Sequence, residues 1–255
     1  MSAIIIDGGL VHYESIGRGK PLIFLHGWLG SWRYWIGSME ELSAYFKTYA
    51  LDLWGFGDSD KFNQRFTVED YLKLLEAFVE NMGILKLCLV GHSLGAIIAV
   101  RYAARHPDKV EKIVAVSLPI TGDSVNFALF QGNRYSRLVP SEHEEVQMEI
   151  QKASSKAIEL SVNSIRELDL RLELINLKVP TLVIYGEKDN IVSPEPSIAF
   201  KDFRAPLRFM AIPGTRHFPM LEEPSKFNRL LKEFLALGVE LDKLEIKQEW
   251  RRKMG

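Results

Sequence analysis

Cysteine is nearly absent from this chain: Cys88 is the single thiol among 255 residues. Disulfides and thiolate metal sites within one chain are thereby excluded, and a lone thiol in the apolar run "LKLCLV" reads as a small buried hydrophobe. An excess of one charge is missing too. Lys plus Arg (32) offsets Asp plus Glu (33) to a formal net charge of -1, without the long block of one sign that attracts phosphate backbones or anionic lipid. Nucleic acid is therefore not an expected partner. No uncharged stretch is long enough to cross a bilayer, and "MSAIIIDGGLVHY" has neither the basic start nor the long apolar centre of a secretion signal. The expectation is a cytoplasmic protein with no transmembrane segment. Internal repeats, low-complexity tracts and domain-separating linkers are likewise lacking.

What is present is a composition of 47% hydrophobic and 25% charged residues, which at this length buries a full core. One domain with an insertion is expected, as a monomer or homodimer. Short β-rich runs alternate with helical patterns, the order of parallel strands joined by crossover helices. "AIIID" and "LVHYESIG" flank Gly8-Gly9 and read as a hairpin. "PLIFLHG", "TYALDL", "LKLCLVGHS" and "VEKIVAVSLP" are strands, with helices at "SMEELSAYF" and "LGAIIAVRYAARHP". "TVEDYLKLLEAFVENMG" is a helix with Thr67 as N-cap, Asp70 at N3 and Gly83 as its stop. Between Ile120 and Leu177 strand signals cease and helical ones take over. The alternation resumes at "VPTLVIYGEKD" and runs to "EEPSKFNRLLKEFLAL", where Pro224 suits a first helical turn. The tail 238–255 reads as an amphipathic helix packed on the domain or frayed, with a partner-binding helix as the alternative.

The chemistry concentrates in "GHSLG", residues 91–95, where a strand passes into an Ala-rich helix. A serine at that junction must turn sharply, and glycines two residues to either side let neighbouring backbone approach. The turn lifts the Ser93 hydroxyl above the sheet edge and turns the Leu94 N–H toward the same space, where it can stabilise an oxyanion. Serine needs a base, and the base needs an acid to hold its tautomer. Of six histidines, His217 in "PGTRHFPMLEEP" follows a strand in a loop framed by proline and glycine. His12 belongs to the hairpin, His92 adjoins the serine, His106 ends a helix, His143 lies in the charged insertion, and His26 braces "LHGW". Asp189 in "GEKDNIV" leaves the preceding strand and is the acid candidate. Each alone is more often a solvated loop residue; Ser, Asp and His in that order, each just after a strand, form a candidate triad.

A second oxyanion donor is offered by Trp28 N–H in "FLHGWLGSW", with Gly27 permitting the turn. Trp28, Trp32, Tyr34 and Trp35 either fill the core or wall an apolar pocket. Candidate pocket residues are Trp28, Leu29, Phe127, Phe130 and Phe218. "DLWGFGDS", residues 52–59, is glycine-punctuated but lacks the Walker lysine and the dinucleotide spacing, so no nucleotide site is expected. No metal and no organic cofactor are expected.

On "HGW" at 26–28, D-x-x-G-x-G-x-S at 52–59, "GHSLG" at 91–95, "GEKD" at 186–189 and His217, the chain resembles the α/β-hydrolase superfamily. The resemblance implies an α/β fold with an eight-stranded, mostly parallel sheet and an antiparallel strand near its start. It further implies a helical cap after strand six, dividing the chain into a core of 1–119 and 178–255 and a cap of 120–177. It implies Ser93 as nucleophile, His217 as base, Asp189 as orienting acid, and Trp28 and Leu94 as backbone donors. Epoxide hydrolases and haloalkane dehalogenases of this superfamily use an aspartate nucleophile, and position 93 is serine. The expected substrate is a small, moderately hydrophobic carboxylic ester. Carbon–carbon bond hydrolases, lactonases, aminopeptidases and low-turnover ligand receptors of the same fold stay open. An aminopeptidase needs a cap carboxylate for the substrate amine; Glu142, Glu144, Glu145 and Glu149 are available but read first as a solvated helix face.

Overall fold

Alternating buried runs and amphipathic helices build a three-layer α/β arrangement in the computed structural model, which describes residues 2–62, 64–130, 144–193 and 206–246. Its strands are β1 (Ser2–Ile6), β2 (Gly9–Gly17), β3 (Lys20–Leu25), β4 (Phe46–Leu51), β5 (Leu87–His92), β6 (Val110–Val116), β7 (Thr181–Gly186) and β8 (Leu207–Ile212). They form one 8-stranded sheet in the order β1-β2-β4-β3-β5-β6-β7-β8. β2 is antiparallel to β1 and to β4, and every later pairing is parallel. The hairpin turns on Asp7 and Gly8, at φ 48° and 82°, one residue earlier than the glycine pair predicts. Two successive left-handed residues match the twist of the flanking strands, and aspartate tolerates that conformation.

The helices outside the β6–β7 connection are α1 (Ile36–Leu42), α2 (Val68–Asn81), α3 (Leu94–Arg105), α7 (Pro219–Glu222) and α8 (Pro224–Leu231). In α2, Thr67 and Asp70 form a reciprocal capping box, and Gly83 at φ 64° lies just past the helix end. Its Val68, Tyr71, Leu72, Leu75, Phe78 and Val79 are buried. Each fully buried Leu or Phe contributes about 1.5–3 kcal/mol. Helix α3 packs between α2 and strands β5 and β6, and its Ala96, Ala99 and Ala103 keep the layers close.

Between β6 and β7 lie α4 (Glu144–Lys152), α5 (Ser155–Asn163) and α6 (Arg171–Asn176). Helix α6 packs on α3, while α4 and α5 lie over the loops at the carboxyl ends of the parallel strands. The division into a core and a cap of 120–177 remains our proposal. The tail departs from the helix expected of it. Past Gly238 at φ 67°, its described part has only a three-residue 3-10 turn, Leu241–Lys243, with Leu244 buried. Arg208 of β8 donates to the carbonyls of Asp242 and Leu244, so these oxygens are held by the sheet and not by a helix of their own. Trp250 lies outside the described residues.

Candidate active site

Ser93 sits between the last residue of β5 and the first of α3 at φ 52°, ψ -110°, a conformation that costs a non-glycine residue about 1–3 kcal/mol. Its flanking glycines are fixed by close approach: a Cβ on Gly91 would lie 2.2 Å from Gly95 O, and one on Gly95 2.2 Å from Leu25 O. Both lie far inside contact distance, so strand, turn and helix can stack this tightly only with hydrogens there. The Ser93 N–H continues the ladder to Val116 O at 2.8 Å. Its Oγ is buried without a hydrogen-bond partner. Leu94 opens α3, so its N–H belongs to the unpaired first turn of a helix whose positive dipole end faces the serine.

Asp189 and His217 leave β7 and β8 at the same sheet edge. His217 Nδ1–H donates to Asp189 Oδ2 at 2.8 Å, and Asp189 Oδ1 accepts from Ile191 N–H at 2.9 Å and Val192 N–H at 3.0 Å. Burial alone would raise the Asp189 carboxyl, but the His217 charge and hydrogen bond, aided by the two N–H groups, hold it below the usual carboxylate range. With Nδ1 committed, the free ring nitrogen of His217 is Nε2, the one able to take a proton.

Residues 27–30 close a turn through Gly30 N–H to Gly27 O at 3.2 Å, with Leu29 at φ 63° where glycine is usual. The Tyr34 hydroxyl donates to Leu29 O at 3.0 Å and holds that residue in place. Gly27 serves by absence of a side chain: a Cβ there would lie 2.7 Å from His92 Nδ1 and 2.9 Å from Ser93 Cβ. The peptide joining Gly27 to Trp28 is thus pressed against the serine. His26 braces this loop from behind, its Nδ1–H donating to Gly27 O at 2.7 Å and its Nε2 accepting from Leu53 N–H at 2.9 Å. Burial pushes its pKa down, which keeps the ring neutral for that double role.

The D-x-x-G-x-G-x-S loop beside it is tied to itself. Asp52 Oδ1 accepts from Trp32 N–H at 2.7 Å; Oδ2 accepts from Asp58 N–H and from His12 Nδ1–H, both at 2.9 Å. His12, Asp52 and Asp58 lie close enough to ligate a cation, yet both Asp52 oxygens are spent on these donors and Asp58 is paired with Arg33 and Lys152. The loop is a brace.

The family model described as "alpha/beta hydrolase fold" matches residues 20–143, which carry β3 through β6 with the Gly27 turn and Ser93. The chain has the α/β-hydrolase fold. Among curated relatives, epoxide hydrolase 3 of Xenopus tropicalis is 26% identical over 280 residues, covering 90% of this chain and 76% of its own. The pimeloyl-acyl-carrier-protein methyl ester esterase of Aeromonas hydrophila is 27% identical over 256 residues, covering 89% and 99%. Among solved structures, the enol-lactonase from Burkholderia xenovorans LB400 superposes with a TM-score of 0.81 at 18% identity, covering 92% of this chain and 99% of that one. This last likeness concerns the fold.

The remaining candidate residues of this α/β hydrolase fall in different places. Phe218, buried, meets the His92 and His217 rings at 5.1 Å, and Phe130 meets Trp28 edge-on at 5.4 Å. Leu29 is buried in the core, and half-buried Phe127 carries the Arg166 guanidinium 4.7 Å above its ring. One tie has no sequence signal. Trp28 Nε1–H donates to Ser161 Oγ of α5 at 2.9 Å, joining the Gly27 turn to the helices above it. No described helix is long and apolar enough to cross a membrane.

Glu149 corrects an expectation. It is not on a solvated helix face: it is 2% exposed, and its Oε1 lies 2.9 Å from Lys152 Nζ and 3.3 Å from Arg33 Nη1. A carboxylate can enter this interior because two cations meet it there. Glu142 lies outside the described residues, as do the side chains of Glu144 and Glu145.

Proposed function

We propose that this α/β hydrolase cleaves small, uncharged, moderately hydrophobic carboxylic esters through an acyl-enzyme formed on Ser93, in the cytoplasm and with no cofactor. The observation that carries the reading is the strained, buried Ser93, whose Oγ has no competing partner while the Asp189-paired His217 stands on the adjoining loop. His217 Nε2 takes the Ser93 proton as Oγ attacks the ester carbonyl. The N–H groups of Trp28 and Leu94 receive the oxyanion, and the leaving alcohol takes the proton back from His217. Water then repeats the sequence on the acyl-enzyme. Ser93 Oγ has no hydrogen-bond partner among the described residues, and its bond to His217 Nε2 belongs to the ester complex, where catalytic hydrogen bonds tighten.

Three observations narrow the alternatives. The epoxide hydrolase relative shares the fold, but this chain has a serine hydroxyl at position 93, which supports an acyl-enzyme over an alkyl-enzyme. Glu149 is already neutralised by Arg33 and Lys152, which argues against its receiving a substrate amine. A methyl ester esterase among the relatives favours an ester as substrate class. The test is hydrolysis of p-nitrophenyl butyrate with intact-mass labelling by a fluorophosphonate. One adduct on Ser93 and a loss of about 10⁴-fold or more in Ser93→Ala are expected. Retained turnover in Ser93→Ala with unchanged Tm defeats the reading.

A further inference from the structure

We propose that His92 and Ser117 form a clamp on the main chain of His217 and so act as positioning residues for it. The carbonyl oxygen of His217 accepts from His92 Nε2–H at 2.9 Å and from Ser117 Oγ–H at 3.1 Å. These donors come from two neighbouring strands: His92 ends β5, and Ser117 directly follows β6. The base thus stands on a loop of its own, yet its backbone is fastened to the tip of the nucleophile's own strand, β5, and to that of its neighbour β6.

Ser117 is built for this contact. It holds φ 47°, outside the range that serine prefers, while its N–H donates to Ile184 O at 2.7 Å and its hydroxyl turns to the His217 carbonyl. Two bonds offset that strain, the N–H to Ile184 O and the hydroxyl to His217 O, and the second is the one that reaches the base.

His92 is committed in the same way. Its ring is buried, with Nδ1 unpartnered and located where a Cβ on Gly27 would come within 2.7 Å. On the other side, the His92 and His217 ring centroids lie 4.7 Å apart. The imidazole therefore fills the gap between the Gly27 turn, which presents Trp28 N–H, and the loop carrying His217. Burial first, then the nearby His217, pushes its pKa well down. A neutral ring with the proton on Nε2 can donate to the carbonyl without setting a second cation beside the imidazolium that His217 becomes during acylation.

Asp189 pins the ring of His217 through Nδ1, and the clamp pins its backbone; two fixed points leave the ring little freedom to swing Nε2 away from Ser93. Misplacement of a reacting group by about 1 Å can cost about 10²-fold in rate. This inference rests on the proposed role of His217, so its test needs one readout of chemistry and one that requires none.

The chemical readout is kcat and KM for p-nitrophenyl butyrate with the rate of fluorophosphonate labelling of Ser93. The second is the NMR signal of the His217 Nδ1–H proton held by Asp189, in protein with 15N-labelled histidine. His92→Phe removes the donor and keeps an aromatic ring; its kcat and labelling rate are expected to fall about 10- to 100-fold with KM within about 2-fold. His92→Gln, which can still present an N–H near the Nε2 position, is expected to recover most of that loss. Ser117→Ala is expected to lose about 5-fold in kcat, the value of one neutral hydrogen bond. The Nδ1–H signal is expected to broaden in His92→Phe and sharpen again in His92→Gln. Wild-type kcat and an unchanged signal in Ser117→Ala and His92→Phe overturn the clamp. So does a loss in His92→Gln as large as in His92→Phe. Should His92→Phe fail to fold, His92→Gln and Ser117→Ala decide the matter. A clamp seen by NMR without Ser93 labelling in the wild type leaves the clamp standing and removes the acyl-enzyme reading instead.

Discussion

Two buried histidine–aspartate pairs of almost the same length stand on this sheet, and they sit in different surroundings. His217 Nδ1 meets Asp189 Oδ2 at 2.8 Å, and His12 Nδ1 meets Asp52 Oδ2 at 2.9 Å. What separates them is the rest of each neighbourhood. Asp52 Oδ2 is shared between His12 and the Asp58 N–H, and the far nitrogen of His12 lies 3.4 Å from Glu14 Oε1. Asp189 Oδ2 serves His217, and the loop of His217 is fastened beside a strained serine with an unpartnered hydroxyl. A histidine held between carboxylates keeps its proton, whereas one whose Nε2 is left uncommitted has the freedom that the proposed exchange with Ser93 requires. The pair alone therefore marks no reaction centre; what surrounds the second nitrogen does.

The same substitution in both pairs gives the largest contrast. In Asp189→Asn the amide oxygen keeps the Ile191 and Val192 N–H groups, which leaves the amide N–H₂ facing His217 Nδ1. The ring can accept that donor only by moving its proton to Nε2, the tautomer unable to act as base. A fall of about 10³- to 10⁴-fold in kcat/KM is expected, with Tm changed little. In Asp52→Asn the folded fraction is expected to hold kcat/KM within a few-fold. Equal activity losses in the two variants erase the distinction between the pairs.

Stability is the second contrast, and it runs the other way. At Asp52 three donors converge, two of them backbone N–H groups that cannot change tautomer. Whichever way an asparagine amide is turned, its N–H₂ meets a backbone N–H. Removing one partner of such a buried charged network costs about 3 kcal/mol. At about 2–4 °C per kcal/mol for a chain of this size, Asp52→Asn is expected to melt some 6–12 °C below wild type. Thermal unfolding followed by circular dichroism reads this directly, and a Tm within 2 °C of wild type would show the brace to be dispensable.

How much of this was legible in the sequence depends on how local the cause is. The Thr67 and Asp70 capping box, the Gly83 stop and the Pro224 start need only neighbouring residues, and all three are in the structure. The order Ser, Asp, His, each just after a strand, leads to an Asp–His pair that lies 2.8 Å apart, because parallel topology delivers strand ends to one edge. Leu29 and Ser117 at positive φ carry no such signal, since leucine and serine are ordinary in sequence and are held there by Tyr34 and by the ladder to Ile184. Glu149 reads as a surface charge until Arg33, more than a hundred residues earlier, is brought to it by the fold. The described part of the tail, through residue 246, departs from a helix for a similar reason: Arg208 on a distant strand takes the Asp242 and Leu244 carbonyls.

The smallest expected effect is a pH dependence that isolates His12. Its pKa is raised, first by the hydrogen bond to Asp52 and then by the charges of Asp52, Asp58 and Glu14 acting against burial. A histidine whose folded pKa lies above its unfolded one stabilises the fold fully below the unfolded value of about 6.5, and that contribution is lost as pH rises through the folded value. His26 and His92, both lowered by burial, act in the opposite sense: their contribution is whole above about 6.5 and is lost as pH falls. His12→Asn removes the first trend and leaves the second. The Tm gap between wild type and His12→Asn is therefore expected to be widest near pH 6 and to shrink by a few degrees toward pH 9. A gap that stays constant across that range means His12 is neutral in the fold. The two pairs would then differ only in what surrounds the second ring nitrogen.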